Sequence, residues 1–161
     1  MIRTEQASSR TICVNCGVPL DSRHFDESNV VEAPALGRRL ILAQFVLPPQ
    51  YCGVLEFFAQ FTNTHAADPG EVRTPTLEWL LLINDRPLYP YVGFRHILNP
   101  WGFGSYQLNI RLDEGSRVEF GVRGVAASGA PPAKPPLQVG GRIMGRYFYN
   151  PAYGDPVRQR F

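Results

Sequence analysis

The stretch YQLNIRLDEGSRVEFGVRGV, residues 106–125, decides the fold class of this chain. Every second residue of its first half is large and apolar, and polar residues lie between them; the apolar set is Tyr106, Leu108, Ile110 and Leu112. The second half alternates in the same way through Val118, Phe120 and Val122. A period of two is that of a strand with one buried face. Because the DEGS segment 113–116 between the halves is a turn signal, the stretch predicts an antiparallel hairpin.

Outward from this hairpin, the chain from Arg39 onward is a series of short apolar runs separated by turn signals. Together with the hairpin they make about seven strands; the other runs are 39–47, 54–62, 76–83, 88–92 and 139–149. Asn84–Pro87 is predicted to join two of them as a hairpin connection. Since each alternating strand has one apolar face to bury, two stacked antiparallel sheets are expected.

Leu112–Val118 resembles the late hairpin of jelly-roll proteins, in which an acid-Gly turn precedes an alternating strand. The predicted fold is therefore all-β: an antiparallel β-sandwich, jelly-roll-like, with an irregular N-terminal arm. Residues 1–37 form this arm in the prediction, residues 38–150 the β-sandwich domain, and residues 151–161 a basic C-terminal tail. Because the arm carries little periodic apolar pattern, we expect it to become ordered against a neighbouring subunit on assembly.

The phase of the alternation predicts the core-facing side chains, which are Leu80, Leu82, Leu108, Ile110, Val118, Phe120 and Val122. Gly141 and Gly145 would weaken the last strand unless other parts of the molecule approach its backbone closely there. Glu56 and Glu78 interrupt strands that are otherwise apolar. We expect each of them to face solvent or to pair with an arginine on a neighbouring strand.

Composition limits the class of protein. A chain of 161 residues with 44% hydrophobic residues and a net charge of +2 fits one folded domain and does not indicate bulk nucleic-acid binding. No apolar run approaches the roughly 20 residues that span a bilayer. Lys134 is the only lysine beside fifteen arginines. This bias reflects either a GC-rich genome or the suitability of arginine for bidentate contacts at subunit interfaces.

The CVNCG motif at residues 13–17 resembles one knuckle of a zinc ribbon, with Cys13 and Cys16 as the candidate ligands. A complete site needs two more ligands, and Cys52, His24 and His65 do not lie at a recognised spacing. A redox role needs a βαβ setting, which the pattern does not predict. The odd number of cysteines and the absence of a signal-peptide pattern favour a reducing cytoplasm. We therefore expect reduced, metal-free structural thiols.

The sequence contains no recognisable enzymatic constellation. It has no G-x-S-x-G elbow, P-loop, dinucleotide fingerprint or calcium loop, and its three histidines are scattered. Asp113 and Glu114 lie in a predicted turn, where they are poor candidates for a glycosidase pair. The prediction is a non-enzymatic protein with no catalytic residue and no cofactor.

Two groups of residues are candidates for an interface. The aromatic group is Tyr89, Tyr91, Trp101 and Phe103. Such side chains anchor protein interfaces, stack on sugar rings or close one end of a core. The second group is Arg142 and Arg146, which share a strand face because they are four residues apart. Since burying an unpaired guanidinium is costly, we expect both to contact acidic or carbonyl groups on the arm or on a neighbouring chain; the alternative is two solvated arginines.

The segment GGRIMGRYFY, residues 140–149, together with the sandwich before it, resembles the ending of small virion proteins of tailed bacteriophages. The resemblance covers about residues 40–150. It implies a multi-copy capsid decoration, cement or neck component that binds other virion proteins and forms a homo-oligomer or larger assembly. Such a protein is made in the host cytoplasm and located in the virion, with no membrane and no sequence-specific nucleic-acid partner. The alternative is a carbohydrate-binding β-sandwich module for host attachment.

Overall fold

The computed structural model describes residues 18–62, 77–94, 103–125 and 138–150. They form eight strands: β1 (Arg23–Glu32), β2 (Arg39–Val46), β3 (Tyr51–Thr62), β4 (Leu77–Ile83), β5 (Arg86–Phe94), β6 (Phe103–Leu112), β7 (Arg117–Gly124) and β8 (Gln138–Tyr149). These four ranges contain no helix. The seven predicted strands are all present, and the all-β prediction is confirmed.

The strands form two four-stranded antiparallel sheets. The first sheet has the order β1-β8-β3-β6 and the second has the order β2-β7-β4-β5. Strand one is paired with eight, two with seven, three with six and four with five. In this arrangement the first four strands pair antiparallel with the last four in reverse order, and the paired strands fold over into two layers. It is the jelly-roll arrangement.

The inner faces of the sheets enclose one core. Phe120 of the second sheet lies at its centre, with its ring centroid 5.7 Å from that of Trp79 and 5.1 Å from that of Phe58 in the first sheet. The predicted core residues Val118, Phe120 and Val122 are fully buried. Leu108 and Ile110 are half-buried and pack against the core from the outer strand β6. The prediction from the opening hairpin is therefore confirmed.

The predicted phase of β4 is wrong by one residue. Leu77, Trp79 and Leu81 face the core, whereas Leu80 and Leu82 lie on the outer face of the second sheet. Leu82 is nevertheless buried there, and Leu80 is half-buried. The sequence LEWLLLI has apolar residues at both parities, as strands covered on both faces do, so alternation alone cannot select the inner set.

The irregular arm predicted for residues 1–37 is wrong for Arg23–Glu32, which forms β1 and pairs with the whole length of β8. The sequence pattern did not predict β1 because Phe25 is the only fully buried side chain of that strand. An edge strand has one paired side and carries charged residues on its exposed surface, so it lacks the apolar alternation of a central strand. Residues 1–17 lie outside the described part of the chain.

Close packing explains the glycines of β8, as the sequence predicted. A Cβ at Gly141 would lie 2.7 Å from atoms of both Leu42 and Phe120 in the core. A Cβ at Gly145 would contact the carbonyl oxygen of Val54 and lie 2.5 Å from the ring of Phe25. Both glycines therefore allow the opposing layer and the neighbouring strand to approach the backbone of β8.

The two predicted hairpin turns are also confirmed. Asn84 and Asp85, between β4 and β5, both have positive φ, at 53° and 64°, which matches the primed turns of tight hairpins. In the turn between β6 and β7, Ser116 N donates to the carbonyl oxygen of Asp113 over 3.0 Å, and Gly115 has a φ of 70°.

Candidate binding surfaces

The outer face of the first sheet carries a bidentate ion pair between β8 and β1. Arg142 donates from Nε to Asp26 Oδ1 over 2.7 Å and from Nη2 to Asp26 Oδ2 over 2.5 Å. Asp26 lies within the segment predicted as the arm, so the predicted contact between Arg142 and an acid of that segment is present within one chain. The hydrogen bond from Arg142, assisted by its charge, holds the pKa of Asp26 below its usual value.

A second ion pair joins β8 to β3 on the same face. Arg146 donates from Nε to Glu56 Oε1 over 2.8 Å and from Nη2 to the same oxygen. In the second sheet, Arg123 likewise donates to Glu78 from Nε over 2.9 Å. Of the two alternatives left open for Glu56 and Glu78, pairing with an arginine on a neighbouring strand is the one observed.

Glu56 also marks an irregularity that crosses the first sheet. From Leu55 to Phe57, β3 advances by two residues while β8 advances by one, from Gly145 to Met144. Over the same step β6 advances by three residues, from Ile110 to Gln107. Extra residues of this kind bend a sheet locally and redirect side chains, and they are frequent beside binding sites.

A hollow of about 560 Å³ lies at this irregularity on the outer face. Its lining combines one aromatic ring, Phe57, with polar side chains from three strands: Glu56, Gln107, Asn109 and Arg142. A smaller apolar groove of about 220 Å³ adjoins it, and Phe57 and Arg142 line both.

The apolar groove is built around a glycine. Val30, Gly140 and Phe61 form one row across β1, β8 and β3. The position that a Cβ of Gly140 would occupy is 3.0 Å from Val30 Cγ2 and 3.4 Å from Phe61 Cδ1. Val30 is 55% exposed and Phe61 is 38% exposed. The row therefore forms an apolar wall that is open to solvent.

The outer face of the second sheet has a different character. Ile41 on β2 is 46% exposed and Val46 is 51% exposed. Ile41 and Leu80 both pair with Gly121 of the central strand β7, so they flank a residue without a side chain. Tyr89 on β5 is 88% exposed and follows Leu88, which packs against the core. We call Ile41, Val46, Leu80 and Tyr89 the apolar face.

A buried carboxylate lies beside the apolar face. Glu119 is only 6% exposed although its side chain is on the outside of the sheet. Arg39 donates to one of its oxygens and Arg117 is paired with the other, each over 3.2 Å. Two guanidinium groups therefore cover this carboxylate and offset the cost of its burial.

The predicted aromatic candidates are described to different extents. Tyr89 is the exposed member. Tyr91 and Phe103 lie in β5 and β6, where only the backbone is described, and Trp101 lies outside the described residues. Tyr106, from the same part of the chain, stacks on Phe58 with 4.5 Å between ring centroids and packs against the core.

Cys13 and Cys16 lie outside the described residues, and their metal-free state stays a prediction, which elemental analysis of the protein and of a Cys16→Ser variant would test. Cys52 is a buried free thiol, and burial raises its pKa.

The described ranges contain no group of three or more histidine, cysteine, aspartate or glutamate side chains that could hold a metal ion. In the same ranges no helix is long and apolar enough to cross a membrane.

Sequence reasoning missed the hollow, although it singled out two of the residues that line it, Glu56 and Arg142. Gln107 and Asn109 were recognised as the polar side of β6, and Glu56 as an acid within an apolar strand. Nothing in the local sequence showed that the register shifts at Glu56. The one available signal was the glutamate itself, since a charged residue inside an apolar run often marks a bulge or a paired site.

No protein-family model and no curated protein sequence matches the chain. Among solved structures, the VP2 subviral particle of infectious bursal disease virus matches with a TM-score of 0.42 and 10% identity over 86% of this chain and 35% of that chain. A structure of the Gt strain of the same virus matches with a TM-score of 0.41 and 10% identity over 89% and 36%. The chain thus spans about a third of the length of these viral chains.

A family 35 carbohydrate binding module from Clostridium thermocellum matches with a TM-score of 0.36 and 10% identity over 77% of this chain and 91% of that chain. These similarities concern the β-fold alone.

Proposed function

We propose that the chain is a non-enzymatic structural protein of a bacteriophage particle, present in many copies as a capsid decoration, cement or neck component. In this proposal it binds neighbouring virion subunits through the apolar face of the second sheet. The observation that supports it is the set of exposed apolar side chains on the outside of the sandwich, among them Ile41, Val46 and Tyr89.

The surroundings of these side chains resemble the layout of a protein interface. Scattered apolar residues on a surface need no explanation, but Ile41 and Leu80 flank Gly121 on both sides and lie close to paired arginines. Glu119, on the central strand β7, lies between the rows that contain Ile41 and Val46, and Arg39 and Arg117 cover its carboxylate. Apolar, aromatic and arginine side chains are the types that anchor protein interfaces.

Quantitative mass spectrometry of purified particles tests the proposal directly. We expect this chain in a fixed, multi-copy ratio to the major shell protein. An Ile41→Asp variant should be folded but poorly incorporated, because it places a charge within the apolar face. Val30→Asp is the matched control, as it changes an exposed β-branched residue of the first sheet. If the chain is absent from purified particles, the proposed virion function is wrong. If Ile41→Asp and Val30→Asp are incorporated equally well, the apolar face is not the interface.

The interface role predicted for Arg142 and Arg146 is part of the same proposal. Both arginines have acidic partners within the chain, so at an interface they would act as ion pairs that are already formed. We expect the double substitution Arg142→Ala with Arg146→Ala to give a folded monomer that is incorporated poorly. Arg111→Ala, which removes an exposed arginine of β6, is the control. Normal incorporation of the double variant would restrict the interface to the apolar face.

The alternative drawn from the sequence was sugar binding by the aromatic residues around Tyr89. It requires several exposed rings in one plane. Among the aromatic residues of that stretch whose side chains are described, Tyr89 is exposed and Tyr106 is part of the core packing. This arrangement favours Tyr89 as a contact in a protein interface.

A further inference from the structure

We propose that the hollow beside Phe57, on the outer face of the first sheet, is a binding site for a neutral saccharide. The site uses none of the aromatic residues that the sequence singled out, and it lies on the sheet opposite the apolar face. It is therefore a site separate from the apolar face, although it includes Arg142, one of the two arginines proposed for assembly.

Unused hydrogen-bonding groups converge on the hollow from three strands. The bonds from Arg142 to Asp26 use Nε and Nη2, which leaves the N–H groups of Nη1 as donors. The bonds that Arg146 donates to Glu56 from Nε and Nη2 end on Oε1, which leaves Oε2 as an acceptor.

Gln107 and Asn109 add two amides, each with donors and an acceptor. They are exposed on β6 and line the same hollow. With Arg142 and Glu56 they give four planar polar groups around one aromatic ring.

Planar polar groups around a ring match the chemistry of a pyranose. The C–H groups of a sugar pack against an aromatic face, and its hydroxyl groups radiate outward as paired donors and acceptors. Amide, carboxylate and guanidinium side chains satisfy such hydroxyls because they also present donors and acceptors in one plane. Phe57 supplies the apolar surface, and the four polar side chains surround it.

The ion pairs determine both the rigidity and the charge preference of the site. Asp26 fixes the guanidinium of Arg142, and Arg146 fixes the carboxylate of Glu56, so little side-chain freedom is lost when a ligand binds. Each charge that faces the hollow is balanced by its partner. A neutral sugar therefore fits the site better than a uronic or sialic acid.

The adjoining groove indicates a chain of sugars rather than a single one. Phe57 lines both the hollow and the apolar groove, whose other wall includes Val30 and Phe61. The hollow alone has about 560 Å³, within the range of about 300–1,000 Å³ that is usual for small-molecule sites. A saccharide held in the hollow can thus extend past Phe57 over an apolar surface.

The full-length protein should be screened on an array of neutral oligosaccharides that includes cello-, malto-, xylo-, manno-, galacto- and chito-oligosaccharides, with sialylated and uronic-acid glycans beside them. Calorimetry with the best neutral saccharide then gives the affinity. We expect Phe57→Ala to weaken binding at least tenfold and Gln107→Ala or Asn109→Ala to weaken it severalfold. Tyr89→Ala is the matched aromatic control on the other sheet, and it should bind as the wild type does.

Several outcomes would overturn the proposal. They are the binding of no neutral saccharide, binding restricted to acidic glycans, and equal loss of binding in Phe57→Ala and Tyr89→Ala. If Phe57→Ala lowers incorporation into particles while no saccharide binds, the hollow accommodates a protein segment and the proposal is wrong. If Phe57→Ala does not fold, the test rests on Gln107→Ala and Asn109→Ala, which change exposed positions. Saccharide binding at the wild-type affinity in both of these variants would then reject the site. None of these outcomes bears on incorporation through the apolar face, which is measured separately.

Discussion

The outer faces of the two sheets differ more than the inner faces do. Inside, both sheets follow one rule, with alternate large apolar side chains that enclose Phe120 and Trp79. Outside, the second sheet exposes apolar side chains around Gly121, whereas the first sheet presents a hollow with unused polar groups beside Phe57. Burial therefore constrains half of each strand strongly and leaves the other half to be shaped by function.

Strand register explains much of this difference. In the second sheet, the central strands β4 and β7 keep register over the whole of β4, and the shifts lie in the pairings with the edge strands β2 and β5. In the first sheet, β3 loses register with both of its neighbours at Glu56. The shift of the first sheet thus affects the central strand β3 on both of its sides, where the hollow lies, whereas each shift of the second sheet is between a central strand and an edge strand.

The contrast between inner and outer faces predicts the largest effect for core truncation. Phe120→Ala should lower the free energy of unfolding by about 3–5 kcal/mol, and Leu81→Ala by about 2–5 kcal/mol, because both leave cavities in the core. Leu80→Ala is the matched control, since its side chain is adjacent but on the outer face, and it should cost about 1 kcal/mol. Urea denaturation measures all three. Equal losses for Leu80→Ala and Leu81→Ala would contradict the phase of β4.

A smaller loss of stability is expected when a glycine is replaced by alanine, and its size depends on whether the added methyl group overlaps other atoms. Gly145→Ala should lower the free energy of unfolding by about 2–3 kcal/mol, because the added methyl group overlaps the ring of Phe25 and the backbone of β3. At Gly115→Ala nothing lies within 4 Å of the new atom, and only the positive φ opposes it, at a cost of about 1 kcal/mol. Thermal denaturation compares the two variants. A larger loss at Gly115 would show that the first sheet adjusts to the methyl group.

These pairs also show how far the sequence reaches. Alternation predicted the hairpin from Tyr106 to Val125 because every second residue there is apolar. It failed for β4, where leucines lie on both faces of the strand. It also failed for β1, an edge strand in which Phe25 is the single buried side chain. The candidate site could be predicted only in part: the pairing of Glu56 with an arginine follows from its place in an apolar strand, but the register shift depends on two neighbouring strands that are distant in sequence.

The ion pair between Asp26 and Arg142 predicts a pH effect confined to the first sheet. Because the folded-state pKa of Asp26 is lowered, the pair contributes stability above the usual pKa of the carboxyl group and loses it as the pH falls through the lowered value. Both side chains are nearly half exposed, so the contribution is small and is screened by salt.

Carboxyl-detected NMR titration of Asp26 should give a pKa below the usual value in the wild type. In Arg142→Gln the pKa should return toward that value. An unchanged pKa of Asp26 in the variant would mean that the ion pair with Arg142 does not persist in solution. The guanidinium of Arg142 would then not be held rigidly at the proposed saccharide site.

A difference in solvent access within the first sheet concerns Cys52, which lies on the outer face at the end remote from the apolar groove. Its side chain is buried, and burial raises the pKa of the thiol because the thiolate would lose its hydration; the charge of Arg111 opposes this only in part. The hollow and this end of the face thus differ in solvent access although they belong to one surface.

In a Cys13→Ser, Cys16→Ser variant, Cys52 is the only thiol. Since the thiolate is the reactive form, iodoacetamide at neutral pH should alkylate it at least tenfold more slowly in the folded protein than in urea. Arg111→Ala removes the opposing charge and should slow the reaction slightly further, whereas Arg123→Ala on the second sheet should leave the rate unchanged. Alkylation at the same rate in buffer and in urea would mean that this end of the face is open to solvent, and the first sheet would then be accessible over its whole outer surface.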